Sequence, residues 1–181
     1  MKRYHLFYSP IIETELDLDY TDLVDKILKE SETESSRTFS NRGGWQSENN
    51  FMFRDSLRPY LDELDRHIND ICAKCYTNWS FCFENSWVNV NQRGDYNLSH
   101  KHPGAQISAV FWVLAPENCG DIVFSHPSDF SLIPERYDDL RPTWKYKPKQ
   151  GSMLIFPAYL LHRVEQSKTD DKRISIAFNY S

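Results

Sequence analysis

No run of apolar residues in this chain approaches the roughly twenty that a helix needs to cross a bilayer. The first residues, Met1-Lys2-Arg3-Tyr4-His5, lack the long apolar region of a secretory leader. Neither a membrane span nor export is therefore expected. Positive charge is also in short supply. Against 26 Asp and Glu stand 21 Lys and Arg, a net −5, and a general nucleic-acid surface would want a basic stripe instead. Cysteine is sparse: Cys72, Cys75, Cys82 and Cys119. The first two form a CxxC, but on a predicted helix without a βαβ context or a second CxxC, so they read as ordinary half-buried thiols. A reducing, cytoplasmic setting is the simplest expectation. Internal repeats and low-complexity tracts are absent as well.

What is present suits one enzyme-sized domain. The 181 residues are 40% hydrophobic and 14% aromatic, enough for a single sizeable core and short for two. Residues 1–80 read as a helical support and 81–181 as a β-rich core. In the first part, Tyr4 to Tyr8 resembles a short strand. Asp19 to Lys29 carries Leu23, Ile27 and Leu28 at helical spacing, with Asp19 or Thr21 available as a cap. Residues 31–50 are polar and predicted to be a shaped loop, with Gly43-Gly44 beside an exposed Trp45 that either covers a substrate entrance or anchors the loop. Phe53, Leu57, Leu61, Leu64, Ile68, Ile71 and Cys75 then line one face of a long helix that starts or kinks near Pro59.

From Phe81 the period changes to two. Trp87 to Asn91, Gln106 to Leu114, Asp121 to Ser125, Trp144 to Tyr146, Ser152 to Phe156, His162 to Glu165 and Arg173 to Tyr180 are rich in β-branched and aromatic residues. Gly94, Pro116, Gly120, Pro127, Pro148 and Gly151 punctuate them. Seven or more short strands with no substantial helix between them predict a closed or sandwiched antiparallel barrel.

Chemistry concentrates in a few separated residues. His100 and His102 lie one residue apart in an extended segment, which aims both side chains at one face. A distal His162 closes a three-ligand face, leaving the opposite positions around a metal open. The usual trio for a mononuclear Fe(II) oxygenase is two histidines and a carboxylate. Here the carboxylate's place two after the first histidine holds His102, and the nearest alternative acid is Asp121. Imidazole suits iron, zinc, copper and nickel alike. Arg173 opens a strand on which Arg173, Ser175 and Ala177 share a face. A planar guanidinium with a hydroxyl two residues on can grip a carboxylate bidentately. Trp112, Phe124 and Phe156 read as core.

The stretch from Trp87 to Ser181 resembles the Fe(II)- and 2-oxoglutarate-dependent oxygenases, and within them an oxygenase family common in marine bacteria and their phages. The residues that carry the resemblance are Trp87-Val-Asn-Val-Asn, Gly94-Asp-Tyr-Asn-Leu-Ser-His-Lys-His-Pro-Gly, Ile107-Ser-Ala-Val-Phe-Trp, Gly151-Ser-Met-Leu-Ile-Phe-Pro, His162-Arg-Val and Arg173-Ile-Ser-Ile-Ala-Phe-Asn, with Gly43-Gly-Trp-Gln-Ser upstream. The resemblance implies a mostly β fold with α, a double-stranded β-helix (jelly-roll, cupin-like) with N-terminal helices packed on its major sheet. It implies a dioxygenase that hydroxylates an unactivated C–H bond and releases succinate and CO2. His100, His102 and His162 would then hold Fe(II), while Arg173, Ser175, Asn89 and Asn91 would hold 2-oxoglutarate. The substrate would be a small molecule or a protein side chain, and the setting the cytoplasm, the host's if the chain is phage-encoded. Two rivals remain on the residues alone. One is a cupin-like metal-binding protein without turnover, which would need no carboxylate clamp. The other is a three-histidine cupin-type metalloenzyme, which would carry a Glu between its second and third histidines that this chain lacks at a matching spacing.

Overall fold

The computed structural model describes residues 9–76, 80, 82–127 and 142–181. In chain order its elements are β1 (Ile12–Glu15), α1 (Thr21–Thr33), β2 (Asn41–Arg42), β3 (Trp45–Gln46), α2 (Arg58–Cys75), β4 (Phe83–Asn91) and β5 (Tyr96–His100). There follow β6 (Ile107–Leu114), β7 (Ile122–Ser125), β8 (Thr143–Tyr146), β9 (Ser152–Pro157), β10 (His162–Val164) and β11 (Arg173–Tyr180). They form two antiparallel sheets, β1-β9-β6-β11-β4-β3 and β2-β5-β10-β7-β8. The expected strand at Tyr4 to Tyr8 lies outside the described residues.

The two faces of the major sheet explain this arrangement. On β4, β6, β9 and β11 alternate residues point to opposite sides. Val88, Val90, Phe111, Val113, Met153, Ile155, Ile174, Ile176 and Phe178 face outward and bury against Leu23 and Ile27 of α1 and Leu61, Leu64, Ile68 and Cys72 of α2. On the inward side, Trp112, Leu154 and Phe156 form a second cluster with Ile122 and Phe124 of β7, Tyr146 of β8 and Leu160. The helices thus close one face of the major sheet and the minor sheet closes the other, as the double-stranded β-helix reading requires.

Several sequence expectations shift. Pro59 falls in the first turn of α2, where its missing N–H costs nothing, so the helix starts there and does not kink. Phe53 lies ahead of the helix in a short 3-10 turn and is 63% exposed, off the apolar stripe where the periodicity put it. Cys75, assigned to the same stripe, is exposed, while Cys72 is buried; all four cysteines are free. Burial pushes the Cys72 thiol up to about 12, so Cys72 offers no ready thiolate. The polar 31–50 segment is not all loop. Gly43 and Gly44, both left-handed (φ +72° and +68°), join β2 of one sheet to β3 of the other. Trp45 is not exposed. It packs into the helix-side core and donates its indole N–H to the Glu34 carbonyl at 3.0 Å, so it anchors the loop.

Candidate metal and cosubstrate centre

The inward face of β4 and β11 does not continue the apolar pattern. Antiparallel pairing sets Arg173 opposite Asn91, Ser175 opposite Asn89 and Ala177 opposite Trp87. Arg173, Ser175, Ala177, Asn89 and Trp87 line a cavity between the sheets, together with His100, His102 and His162. Trp112 and Phe156 belong to that wall as well as to the inner core, so the reading of them as core was half of their role. Asn91 is not part of the wall. Its side chain is buried behind it and accepts from Arg173 Nη2 at 2.7 Å.

The histidines come from the minor sheet. His100 ends β5 and His162 begins β10, and the two are directly paired across the strands. His102 lies beyond the end of β5, contrary to a purely strand-based reading of its orientation. Pro103 follows it and cannot donate to a ladder, and the His102 ring lies beside that of His100, centroids 5.2 Å apart. Its backbone N–H donates to the Ala158 carbonyl at 3.1 Å, and its ring stacks on Trp87 with centroids 5.4 Å apart. One ring nitrogen from each of the three histidines falls within 4.8 Å of the others, and among the described residues no carboxylate joins them. Asp121 lines a separate groove with Lys145, Arg163 and Glu165.

The hydrogen bonds assign the tautomers. His100 Nδ1 lies 2.8 Å from the Leu98 carbonyl, and His162 Nδ1 lies 2.9 Å from the Leu160 carbonyl. A carbonyl only accepts, so each Nδ1 carries the proton and each Nε2 presents a lone pair. The Asn179 side chain hydrogen-bonds His102. Asn179 is itself fixed by Ser108 Oγ (2.8 Å) and by Asn85 Oδ1 (3.0 Å). Sequence spacing did not single it out; its place on the inward register of β11 was the available signal. His102 Nε2 and His162 Nε2 stand 3.2 Å apart. That separation suits two ligands of one metal ion. Burial, and then the neighbouring rings, hold His102 at about 4 and His162 at about 3, and burial also lowers His100. All three are neutral and ready to coordinate near pH 7.

Arg173 is 2% exposed. Its Nη1 donates to the carbonyls of Cys119 (3.2 Å) and Gly120 (3.5 Å), its Nη2 to Asn91, and its Nε has no partner among the described residues. No carboxylate among the described residues pairs with it. A buried guanidinium without a counter-ion is costly, and an anion in the cavity would offset that cost. Asn89 Oδ1 is likewise buried and unpartnered.

Residues 85–179 match the family model described as "Putative 2OG-Fe(II) oxygenase". The chain belongs to this family of 2OG-Fe(II) oxygenases. The oxygenase's metal and cosubstrate are accordingly Fe(II) and 2-oxoglutarate, and the three-histidine face and the uncompensated Arg173 fit them. Solved structures agree on the fold. The α-ketoglutarate-dependent epimerase SnoN from nogalamycin biosynthesis superposes with a TM-score of 0.72 at 14% identity, covering 96% of this chain and 78% of SnoN. A Pseudomonas putida prolyl-4-hydroxylase gives 0.67 at 14% identity, covering 94% and 91%. A 2OG-Fe(II) oxygenase family oxidoreductase from Burkholderia pseudomallei gives 0.57 at 17% identity, covering 71% of this chain, which spans 57% of that protein's length. No curated protein matches the oxygenase's sequence. Among its described residues no helix is long and apolar enough to cross a membrane.

Proposed function

We propose that the protein is a 2-oxoglutarate-dependent hydroxylase whose iron is held by His100, His102 and His162. The observation that carries this reading is Arg173, a buried guanidinium with only neutral partners, sharing one cavity with three converging neutral imidazoles. A metal-binding barrel without turnover has no use for such a group. When bound, iron and 2-oxoglutarate would supply, with dioxygen as the oxidant, the means to hydroxylate an unactivated C–H bond, one oxygen atom going to the product and the other to succinate as CO2 is released.

The residues divide the remaining work. The three imidazoles bind the metal; the Nδ1 protons of His100 and His162 are anchored on the Leu98 and Leu160 carbonyls, and Asn179 steadies His102. Arg173 takes the far carboxylate of the cosubstrate through its planar fork, and the Ser175 hydroxyl donates beside it. Trp112, Phe124 and Phe156 keep bulk water from the inner cavity. Substrate reaches the histidines by a groove that opens beside His100 and His102, flanked by Phe39, Leu98 and Trp87 with Asn49, Asn85 and Lys101 at its edge. A small molecule or a protein side chain is the substrate class of this reading, and four free cysteines suit a reducing cytoplasm.

The test is an anaerobic titration of the protein with Fe(II) and then 2-oxoglutarate, followed by the visible absorption of the chelate. Aerobic conversion of 2-oxoglutarate to succinate, which proceeds slowly even without substrate, is the second readout. Saturable binding of both and succinate formation are expected. Iron binding without any 2-oxoglutarate response would return the protein to the class of plain metal-binding barrels.

A further inference from the structure

Arg173 is oriented by three oxygens, and none of them bears a charge: the carbonyls of Cys119 and Gly120 and the Asn91 carboxamide. Asp95 acts on Arg173 only at a distance; its own Oδ2 accepts the Gln92 N–H at 2.8 Å. Asn91 is 1% exposed, and its Nδ2 has no partner among the described residues. A polar group so buried and so poorly satisfied needs another reason to be there.

The Gly43-Gly44 turn supplies the wall behind it. A Cβ on Gly44 would stand 2.6 Å from Asn91 Nδ2 and 2.7 Å from the Val90 carbonyl, closer than real Cβ atoms come. Both glycines also hold left-handed φ, which side chains resist. The turn therefore presses its bare backbone against the amide that holds the guanidinium.

We propose that Gly44 and Asn91 are positioning residues for 2-oxoglutarate: a neutral clamp that aims Arg173 into the cavity while leaving its charge for the incoming carboxylate. This rests on the cosubstrate reading above and adds to it that Asn91 acts through Arg173 and does not touch the cosubstrate itself. An aspartate would be almost the same size at position 91 and would make the better partner for a buried cation. It would also spend the charge that the cosubstrate needs.

Asn91→Asp puts this to the test with two readouts of opposite sign. Thermal melting of the metal-free protein should move up, since a lone buried charge gains a partner. Affinity for 2-oxoglutarate, read by anaerobic titration of the Fe(II)-loaded protein, should fall about ten-fold or more, the size of one lost charge-assisted contact. Iron affinity should stay as it is. A purely structural role would move melting and affinity down together, and that result, like wild-type 2-oxoglutarate affinity, overturns the clamp. Asn91→Ser is the second variant, should Asn91→Asp not fold. It should raise KM for 2-oxoglutarate about ten-fold and leave kcat at saturation within about two-fold, because binding is lost and chemistry is not. A fall in kcat with KM unchanged would overturn the proposal. Gly44→Ala should likewise raise KM. Arg173→Leu separates the two levels: if it leaves 2-oxoglutarate affinity intact, the cosubstrate reading fails; if only the Asn91 variants do, the reading stands and the clamp fails.

Discussion

Strands β4 and β11 carry two different proteins on their two faces. Outward, Val88, Val90, Ile174, Ile176 and Phe178 are apolar, fully packed and covered by helices. Inward, one residue over in each case, Trp87, Asn89, Arg173 and Ser175 face a cavity, and the buried polar atoms Asn89 Oδ1 and Arg173 Nε have no partner among the described residues. The same backbone hydrogen bonds support both. The outward face lowers the free energy of the fold. The inward face raises it and leaves polar groups that a metal ion and an anion would satisfy. Stability and function are thus separated by the pleat of the strand, and a substitution should report on one or the other according to the parity of its position.

The largest effect is expected on metal binding. His162→Ala and His100→Ala each remove one of three ligands and should abolish stoichiometric Fe(II) binding, with the metal-free fold retained because the outward core is untouched. Equilibrium dialysis or an anaerobic Fe(II) titration reads this directly. Full iron affinity in either variant would take that residue out of the site.

Next comes a matched pair on β11. Ile176→Ala deletes a fully buried side chain from the helix-side core and should cost about 2–4 kcal/mol of stability, leaving 2-oxoglutarate affinity near wild type in the folded protein. Arg173→Leu should do the reverse. Losing a charged, bidentate contact costs on the order of 2–5 kcal/mol of binding, hence roughly thirty-fold or more in 2-oxoglutarate affinity. Unfolding stability should hold or rise, because a buried charge with neutral partners is removed. Lysine at this position should rescue only part of the binding, as it offers a point charge in place of a planar fork. Urea unfolding beside cosubstrate titration gives both numbers, and parallel losses in both variants would end the separation of the faces.

A finer test concerns the third ligand. His102→Ala should weaken iron binding while Asp121→Asn leaves it near wild type, since Asp121 lies in another groove. The opposite outcome would make the face two histidines and a carboxylate.

Much of this division was legible from sequence. Alternation of period two marked which residues of β11 share a face, and spacing singled out His100, His102 and His162, which the structure brings together although His102 lies beyond β5. What the sequence hid was hidden for physical reasons. The short strands β1, β2 and β3 have too few residues to show a period, and β1 and β3 take their place by pairing with distant β9 and β4. Trp45 beside two glycines looked exposed, because burial against α1 is a long-range fact. Asn91 and Asn179 are polar residues in strands. Nothing local distinguishes an asparagine that lines a cavity from one that holds an arginine or a histidine from behind.

The smallest expected effect is on the pH dependence of the metal-free protein, and it extends the comparison to the helix layer. Burial holds His162 at about 3 and His102 at about 4, and lowers His100, against about 6.5 in the unfolded chain. Below pH 6.5 the unfolded chain therefore takes up protons that the folded cluster refuses, so stability is complete above that pH and falls steadily as the solution is acidified. Each ring that stays neutral can contribute at most about 1.4 kcal/mol per pH unit. His67 on α2, bonded to Thr14 and also lowered by burial, acts in the same direction but is less deeply placed. Urea midpoints between pH 7.5 and 5, a window in which most carboxylates stay ionised, should show a slope that His162→Gln flattens more than His67→Gln does. Saturating Fe(II) under anaerobic conditions should raise stability across this window and leave the wild-type slope nearly unchanged, since rings held at about 3 and about 4 are already neutral there and protons do not compete with the metal for them. A wild-type stability that does not change from pH 6.5 to 5 would mean that the three rings are not held neutral in the folded protein, and the inward face would lose its claim to be a preformed metal site.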